Sequence, residues 1–168
     1  MVSAIGGMQH PAQIDLGDGL TMGGLAEGDA EGLATCFGAI DPWVRYGTSA
    51  DGLKTFIGQE EPGAARFVFR YRGERAGLAI VRADWLRGPY LQFLGLENGF
   101  QGRGIGTRFL DWLAADAAAA GHRHVWIMVS DFNTRARAFY ARAGYQEIAT
   151  VPDVVKDGFD EILLRKRV

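Results

Sequence analysis

Hydrophobic positions recur with a period of two in the middle of the chain, which predicts β-strands there. Residues 66–72 alternate, with aromatic side chains on one predicted face and mainly arginines on the other. Further strands are predicted at residues 76–83 and 90–96, and the short links between the three make this part of the sheet antiparallel. The apolar run at 90–96 is typical of a central strand that is covered on both faces.

A period near 3.6 on both sides of these strands predicts helices. The predicted helices lie at residues 26–40, after Ser49, at 105–121 and at 134–143. Short strands are predicted at 20–24, 125–129, 145–151 and 159–165, and residues 1–19 are predicted to form an irregular N-terminal arm. This order predicts an α/β (α+β) fold, with a mixed, mostly antiparallel sheet of about six or seven strands and about four helices on its two faces.

Composition narrows the classes of function. The 168 residues indicate one domain over 1–168, and 18 basic against 20 acidic residues give a net charge of −2. This balance argues against general nucleic-acid binding, which requires a positive surface. Cys36 is the only cysteine, which excludes a disulfide framework and a cysteine-based zinc cluster. His122 and His124 lack a third ligand in the sequence, so no metal is expected.

The distribution of apolar residues also predicts where in the cell the protein is located and whether it contacts a membrane. No apolar run is long enough to span a membrane, and the first residues lack the basic and apolar regions of a secretory signal. We therefore expect a cytoplasmic protein with no membrane partner.

A glycine-rich turn lies between the strand at 90–96 and the helix at 105–121, with the sequence Gln101-Gly102-Arg103-Gly104-Ile105-Gly106-Thr107. Glycines let a ligand approach the backbone, and the free N–H groups of a helix start bind anions, so a phosphate is the natural ligand. The Walker A pattern fails because Ile105 follows Gly104, and the Rossmann pattern fails because Thr107 takes the place of its third glycine.

Two further segments complete the pattern, Leu94-Gly95-Leu96 before the turn and Asn133-x-x-Ala136-x-x-Phe139-Tyr140-x-x-x-Gly144-Tyr145 after it. Together they resemble the GNAT N-acetyltransferase superfamily, from about residue 66 to the end of the chain. The pyrophosphate loop of that family reads Gln/Arg-x-x-Gly-x-Gly/Ala, which Gln101, Gly104 and Gly106 match.

The resemblance implies a GNAT-like fold and acetyl-CoA as the acetyl donor. It places the pantetheine arm against the backbone of Leu94, Gly95 and Leu96, as an added strand would lie. It places the pyrophosphate on the amides of Gly102, Arg103, Gly104, Ile105, Gly106 and Thr107. Asn133 matches the family asparagine that contacts the pantetheine arm, and Tyr140 matches the family's general acid. The backbone N–H of Leu94 or its neighbour would stabilise the oxyanion.

The general base is left open by the sequence. Met128 and Tyr90 occupy the two positions at which family members carry a catalytic glutamate. Glu97 is the nearest carboxylate and is the candidate base, acting directly or through water. Gln92 can orient a water molecule but cannot act as a base. Asp131 is a further candidate base, but it is predicted instead to cap the helix that begins near Asn133. An acceptor with a low pKa would need no dedicated base.

The acceptor site is predicted at Trp43, Arg45 and Tyr46, in a connection that overlies the acceptor slot in GNAT-like folds. The predicted acceptor is a primary amine, either a small molecule or a protein N-terminus, and a homodimer is one possible assembly. Two alternatives stay open at this point. One is a non-catalytic acyl-CoA sensor or regulatory protein, and the other is a domain that binds ATP or a dinucleotide.

Overall fold

Eight strands form one sheet in the computed structural model, which describes residues 13–168. The strands are β1 Ile14–Gly17, β2 Leu20–Gly23, β3 Ala64–Tyr71, β4 Glu74–Trp85, β5 Gly88–Leu96, β6 His124–Ser130, β7 Gln146–Val151 and β8 Glu161–Arg167. They lie in the order β1-β2-β3-β4-β5-β6-β8-β7. The β5–β6 pair is parallel and the neighbouring pairs are antiparallel, which confirms the predicted mixed, mostly antiparallel sheet.

Helices cover both faces of the sheet. They are α1 Asp29–Phe37, α2 Trp43–Tyr46, α3 Ala50–Gly58, α4 Ile105–Ala119 and α5 Thr134–Arg142. One core lies between the sheet and α1 with α3, and a larger core lies between the opposite face and α4 with α5. Ser49 caps α3 as predicted, because its side chain accepts a hydrogen bond from the Gly52 N–H at 3.0 Å. No helix within residues 13–168 is long and apolar enough to cross a bilayer.

Two predictions about local structure were wrong. Residues 14–17 form β1 instead of part of an irregular arm, and they pair with β2 through a turn at Asp18-Gly19. Asp-Gly is a hairpin signal, but the strand before it is too short for its period to be read. Trp43–Tyr46, predicted as a connection, forms the single helical turn α2. The remainder of the predicted arm, residues 1–12, lies outside the described residues.

Strand β5 carries a β-bulge at Gln92. Ile80 of β4 pairs with Phe93 and Val81 pairs with Leu91, so Gln92 has no partner of its own across this ladder. A bulge bends its strand and increases the local twist. Pairing with β6 stops at the same point, since Leu91 is the last β5 residue with a partner on β6 although β5 continues to Leu96. The two central strands therefore separate beyond Leu91.

Candidate active site

A cleft opens where β5 and β6 separate. It consists of two adjoining cavities, of about 610 and 490 Å³. Both are lined by Asp41, Leu94, Leu96, Gln101, Asn133, Ala136 and Tyr140, so they form one continuous space. On the β6 side, the backbone of β5 from Phe93 to Leu96 has no strand partner among the described residues. The cleft therefore exposes backbone donors and acceptors that an extended ligand can pair with.

The smaller cavity lies at the start of α4. Gly102, Gly104, Gly106 and Thr107 line it, and Gly104 is the N-terminal cap of the helix. Gly102 and Gly104 both have φ +76°, in the left-handed region, and a Cβ at either position would meet no protein atom within 4 Å. The backbone is thus open to a ligand at the positive end of a 15-residue helix, which is the arrangement that binds phosphate groups.

Two residues of the predicted loop do not present side chains to this cavity. The Arg103 Nε donates to the Gly99 carbonyl oxygen at 2.8 Å, and its guanidinium lies over the rings of Tyr71 and Phe100. Ile105 is buried in the larger core. Positive side chains come instead from α5, since Arg135 and Arg142 line the cavity.

Asn133 lies at the junction of the two cavities and caps α5. Its Oδ1 accepts a hydrogen bond from the Ala136 N–H at 3.1 Å. The prediction that Asp131 supplies this cap was wrong, because Asn133 is the residue that immediately precedes the helix. With Oδ1 engaged, the side-chain NH₂ of Asn133, a residue that lines both cavities, remains as a donor.

Tyr140 also lines both cavities, and α5 positions it. The residue is 7% exposed, and its ring packs against Phe139 and Tyr145. Burial raises the pKa of Tyr140 above that of a free phenol, with a smaller contribution from Tyr90. The hydroxyl is therefore protonated at neutral pH and can donate a proton.

Glu97, the candidate base, does not line either cavity. Its Oε1 accepts a hydrogen bond from the Arg75 Nε at 2.6 Å, and Oε2 accepts from Nη2 of the same arginine at 3.3 Å. The carboxylate is held on the β4 side of β5, away from the cleft.

The three predicted acceptor residues have different environments. Trp43 and Tyr46 line the larger cavity, and Trp43 also stacks on Phe93 with ring centroids 4.7 Å apart. Arg45 does not line this cavity. Its guanidinium lies over the Phe132 ring, and its Nε is 3.5 Å from the Asp41 Oδ2. The structure thus brings two of the three residues to the cleft.

Glu161 is a cavity residue that the sequence analysis missed. It begins β8, is 5% exposed and lines the larger cavity. The Tyr46 hydroxyl donates to its Oε1, and the same hydroxyl lies 2.5 Å from the Ser130 Oγ. Burial raises the pKa of Glu161, while the hydrogen bonds from Tyr46 and Ser130 oppose this. Glu161 is the third residue of the strand predicted at 159–165, where an acidic side chain is typical of a solvated face, so no sequence signal marked it.

Comparison with known proteins identifies the family. The model of the acetyltransferase (GNAT) family matches residues 33–145, more than half of the chain. The chain belongs to the GNAT family. Members of this family take the acetyl group from acetyl-CoA, and they are acyltransferases. The matched residues include the glycine turn and the point at which β5 and β6 separate. They also include every residue that lines both cavities, from Asp41 to Tyr140.

Individual relatives agree with this GNAT assignment. An uncharacterized N-acetyltransferase of Mycobacterium bovis is 31% identical over 86 residues, which are 51% of this chain and 55% of that protein. The chain thus spans about half the length of the curated relatives it matches.

Solved structures show the same fold. The Salmonella typhimurium acetyltransferase that modifies the N-terminal serine of ribosomal protein L7/L12 matches with TM-score 0.75 and 17% identity, over 94% of this chain and 99% of that one. A ribosomal L7/L12 α-N-protein acetyltransferase in complex with coenzyme A matches with TM-score 0.72 and 17% identity, over 94% and 98%.

Proposed function

We propose that this GNAT protein transfers the acetyl group of acetyl-CoA to a primary amine. The observation that carries the proposal is the separation of β5 from β6 beside the glycine turn of α4. It provides an anion site and an unpaired strand edge in one cleft, with Tyr140 lining both of its cavities. A phosphate-terminated donor with an amide-rich arm, such as acetyl-CoA, has the chemistry to fill both.

The residues of the smaller cavity fit the donor. The amides from Gly102 to Thr107 would hold the pyrophosphate at the start of α4, where the glycines leave room. The backbone of Leu94, Gly95 and Leu96 would pair with the amides of the pantetheine arm, and the Asn133 NH₂ would donate to it. This arrangement directs the thioester toward the larger cavity.

The reaction then uses two groups beside the thioester. The amine nitrogen attacks the thioester carbonyl carbon, a C–N bond forms, and negative charge develops on the oxygen. A backbone N–H of the unpaired part of β5, at Leu94 or its neighbour, stabilises that oxygen. The C–S bond breaks, and the departing thiolate takes the hydroxyl proton of Tyr140. The nitrogen loses one proton as the amide forms, and this proton restores the Tyr140 hydroxyl.

The acceptor is a small-molecule amine or a protein N-terminus. The larger cavity has aromatic walls that include Trp43, Phe93 and Tyr90, and the exposed valines 154 and 155 lie at its rim. A rim at the surface admits an amine that is attached to a longer chain. The Salmonella protein, whose named substrate is a ribosomal protein N-terminus, supports the second of these classes.

Two measurements test this proposal together. Thermal unfolding is recorded alone and with acetyl-CoA, CoA, ATP and NADP, because a ligand at 100 times its Kd adds about 2.7 kcal/mol of stability. For a domain of this size we expect a shift of about 5–10 °C with acetyl-CoA and CoA only. CoA release is then followed with a panel of small amines and peptides with free N-termini.

The outcomes separate the alternatives. Acetyl-CoA binding with amine-dependent CoA release supports the transferase. Binding without release from any acceptor would identify a non-catalytic acyl-CoA sensor. A larger shift with ATP or NADP would overturn the assignment of the glycine turn to acetyl-CoA.

A further inference from the structure

Glu161 is a buried carboxylate in the wall of the larger cavity. It pairs with Ser130 of β6 and Val151 of β7 in the sheet register, which fixes its backbone at the end of three adjacent strands. Only 5% of the residue is exposed, so Glu161 is largely removed from bulk water, and it still lines the cavity.

Asp29 is another buried carboxylate of this protein, and its negative charge is paired with arginines. It is also 5% exposed, but Arg70 Nη2 lies 2.7 Å from its Oδ2 and Arg75 Nη1 lies 3.9 Å from its Oδ1. Two guanidinium groups therefore compensate its charge. A buried carboxylate is stable when it is paired in this way.

Glu161 has a different set of partners. Its hydrogen bonds come from the neutral hydroxyls of Tyr46 and Ser130. In the described part of the chain, no arginine, lysine or histidine forms an ion pair with it. A cation bound in the cavity would supply the positive charge that Glu161 lacks as a partner. A protonated amine is such a cation.

We propose that Glu161 is the counter-ion of the acceptor's ammonium group and the base that receives its proton. This inference rests on the proposed acetyl transfer, and it specifies the acceptor as an amine that arrives protonated. The position of Glu161 in the same cavity as Tyr140 places the base and the acid around one space. Tyr90 of β5 lines the same cavity as both residues.

The protons balance in this scheme. The ammonium gives one proton to Glu161 and becomes the neutral nucleophile, which attacks the thioester. The nitrogen loses a second proton as the amide forms, and this proton returns to the Tyr140 oxygen after Tyr140 has protonated the thiolate. Glu161 then releases its proton to solvent, so that one proton is produced for each amide and each CoA thiol.

Several groups set the pH at which Glu161 acts. Burial raises the pKa of Glu161 most, Asp131 after β6 adds to this, and the hydrogen bonds of Tyr46 and Ser130 lower it. Tyr90 faces the same region from β5, and Lys156 in the β7–β8 loop donates to the Tyr46 carbonyl oxygen at 3.3 Å. A raised pKa means that Glu161 keeps a proton to higher pH than an ordinary glutamate. The rate should therefore fall on the acid side as Glu161 becomes protonated.

The decisive variant is Glu161→Gln, which keeps the shape and removes the charge. We expect kcat/KM for the amine to fall about 100-fold or more and the acid limb of its pH profile to disappear. The thermal shift with acetyl-CoA should stay as in the wild type, because the residue does not line the donor cavity. Glu147→Gln is the matched control, since Glu147 is an exposed residue of the neighbouring strand β7 that pairs with Arg137.

Tyr46→Phe provides a second measurement that does not depend on the first variant. It removes the donor that stabilises the carboxylate, so the acid limb should move to higher pH. A purely structural role for Glu161 would leave the limb in place.

An unchanged acid limb and amine KM in Glu161→Gln, or an unmoved limb in Tyr46→Phe, would overturn the role of Glu161. A wild-type protein that binds acetyl-CoA but acetylates no amine would instead overturn the proposed function.

Discussion

The Nε of Arg75 lies 2.6 Å from the Oε1 of Glu97, and this ion pair joins the end of β5 to β4. The side chains are 26% and 16% exposed, so the pair is shielded from most of the solvent. Both carboxylate oxygens of Glu97 accept hydrogen bonds from this guanidinium, and Glu97 lines neither cavity of the cleft. The relationship points to a structural role for Glu97.

Glu97→Gln should therefore lower stability more than activity. Loss of one charge from a shielded ion pair costs about 1–2 kcal/mol, which lowers Tm by roughly 2–8 °C in a domain of this size. We expect kcat to stay within about threefold of the wild type, because Glu97 does not transfer the proton. Loss of the group that does would lower kcat by about 100-fold or more. A large fall in kcat at unchanged Tm would restore Glu97 as the base.

Tyr140→Phe should lower kcat by about 10- to 10⁴-fold, because it removes the proton donor for the thiolate. Tyr145→Phe is the matched control, since the Tyr145 hydroxyl is buried without a hydrogen-bond partner among the described residues and does not line the cleft. We expect the control to keep full activity and equal or greater stability. Equal turnover in both variants, measured by CoA release, would remove Tyr140 from the acid role.

Gly104→Ala should weaken CoA binding by about tenfold or more, because a Cβ would enter the space assigned to the pyrophosphate and strain a left-handed residue. Gly121→Ala has the same conformational cost, with φ +81° and no atom within 4 Å of its Cβ, but lies beyond the other end of α4. Calorimetric titration with CoA compares the two. Similar affinities would show that the pyrophosphate does not lie on Gly104.

Much of the fold follows from local pattern. The period of two across β3 to β5, the Ser49 cap and the glycines before α4 each depend on residues close in sequence, so they were predicted within a few positions. Two short elements, β1 and α2, escaped this reasoning, although the equally short β2 was predicted at 20–24. β1 and α2 contain four residues each, and a period is not measurable over such a length.

The donor cavity was predictable from the sequence because its parts are short segments with a strong pattern. Leu94, Gly104 and Asn133 each stand in a recognisable motif, and the structure brings all three to one cleft. Their roles in acetyl-CoA binding stay predictions, as do the cytoplasmic location and the homodimer.

The sequence by itself determined the sheet and helix pattern, the glycine turn and the family resemblance, because these depend on neighbouring residues. Only the tertiary structure decided the surroundings of the carboxylates. It paired Glu97 with Arg75 across two strands, and it joined Tyr46 to Ser130 and Glu161 over separations of 84 and 115 residues. Burial and charge compensation depend on which distant segments meet, and no local pattern records that.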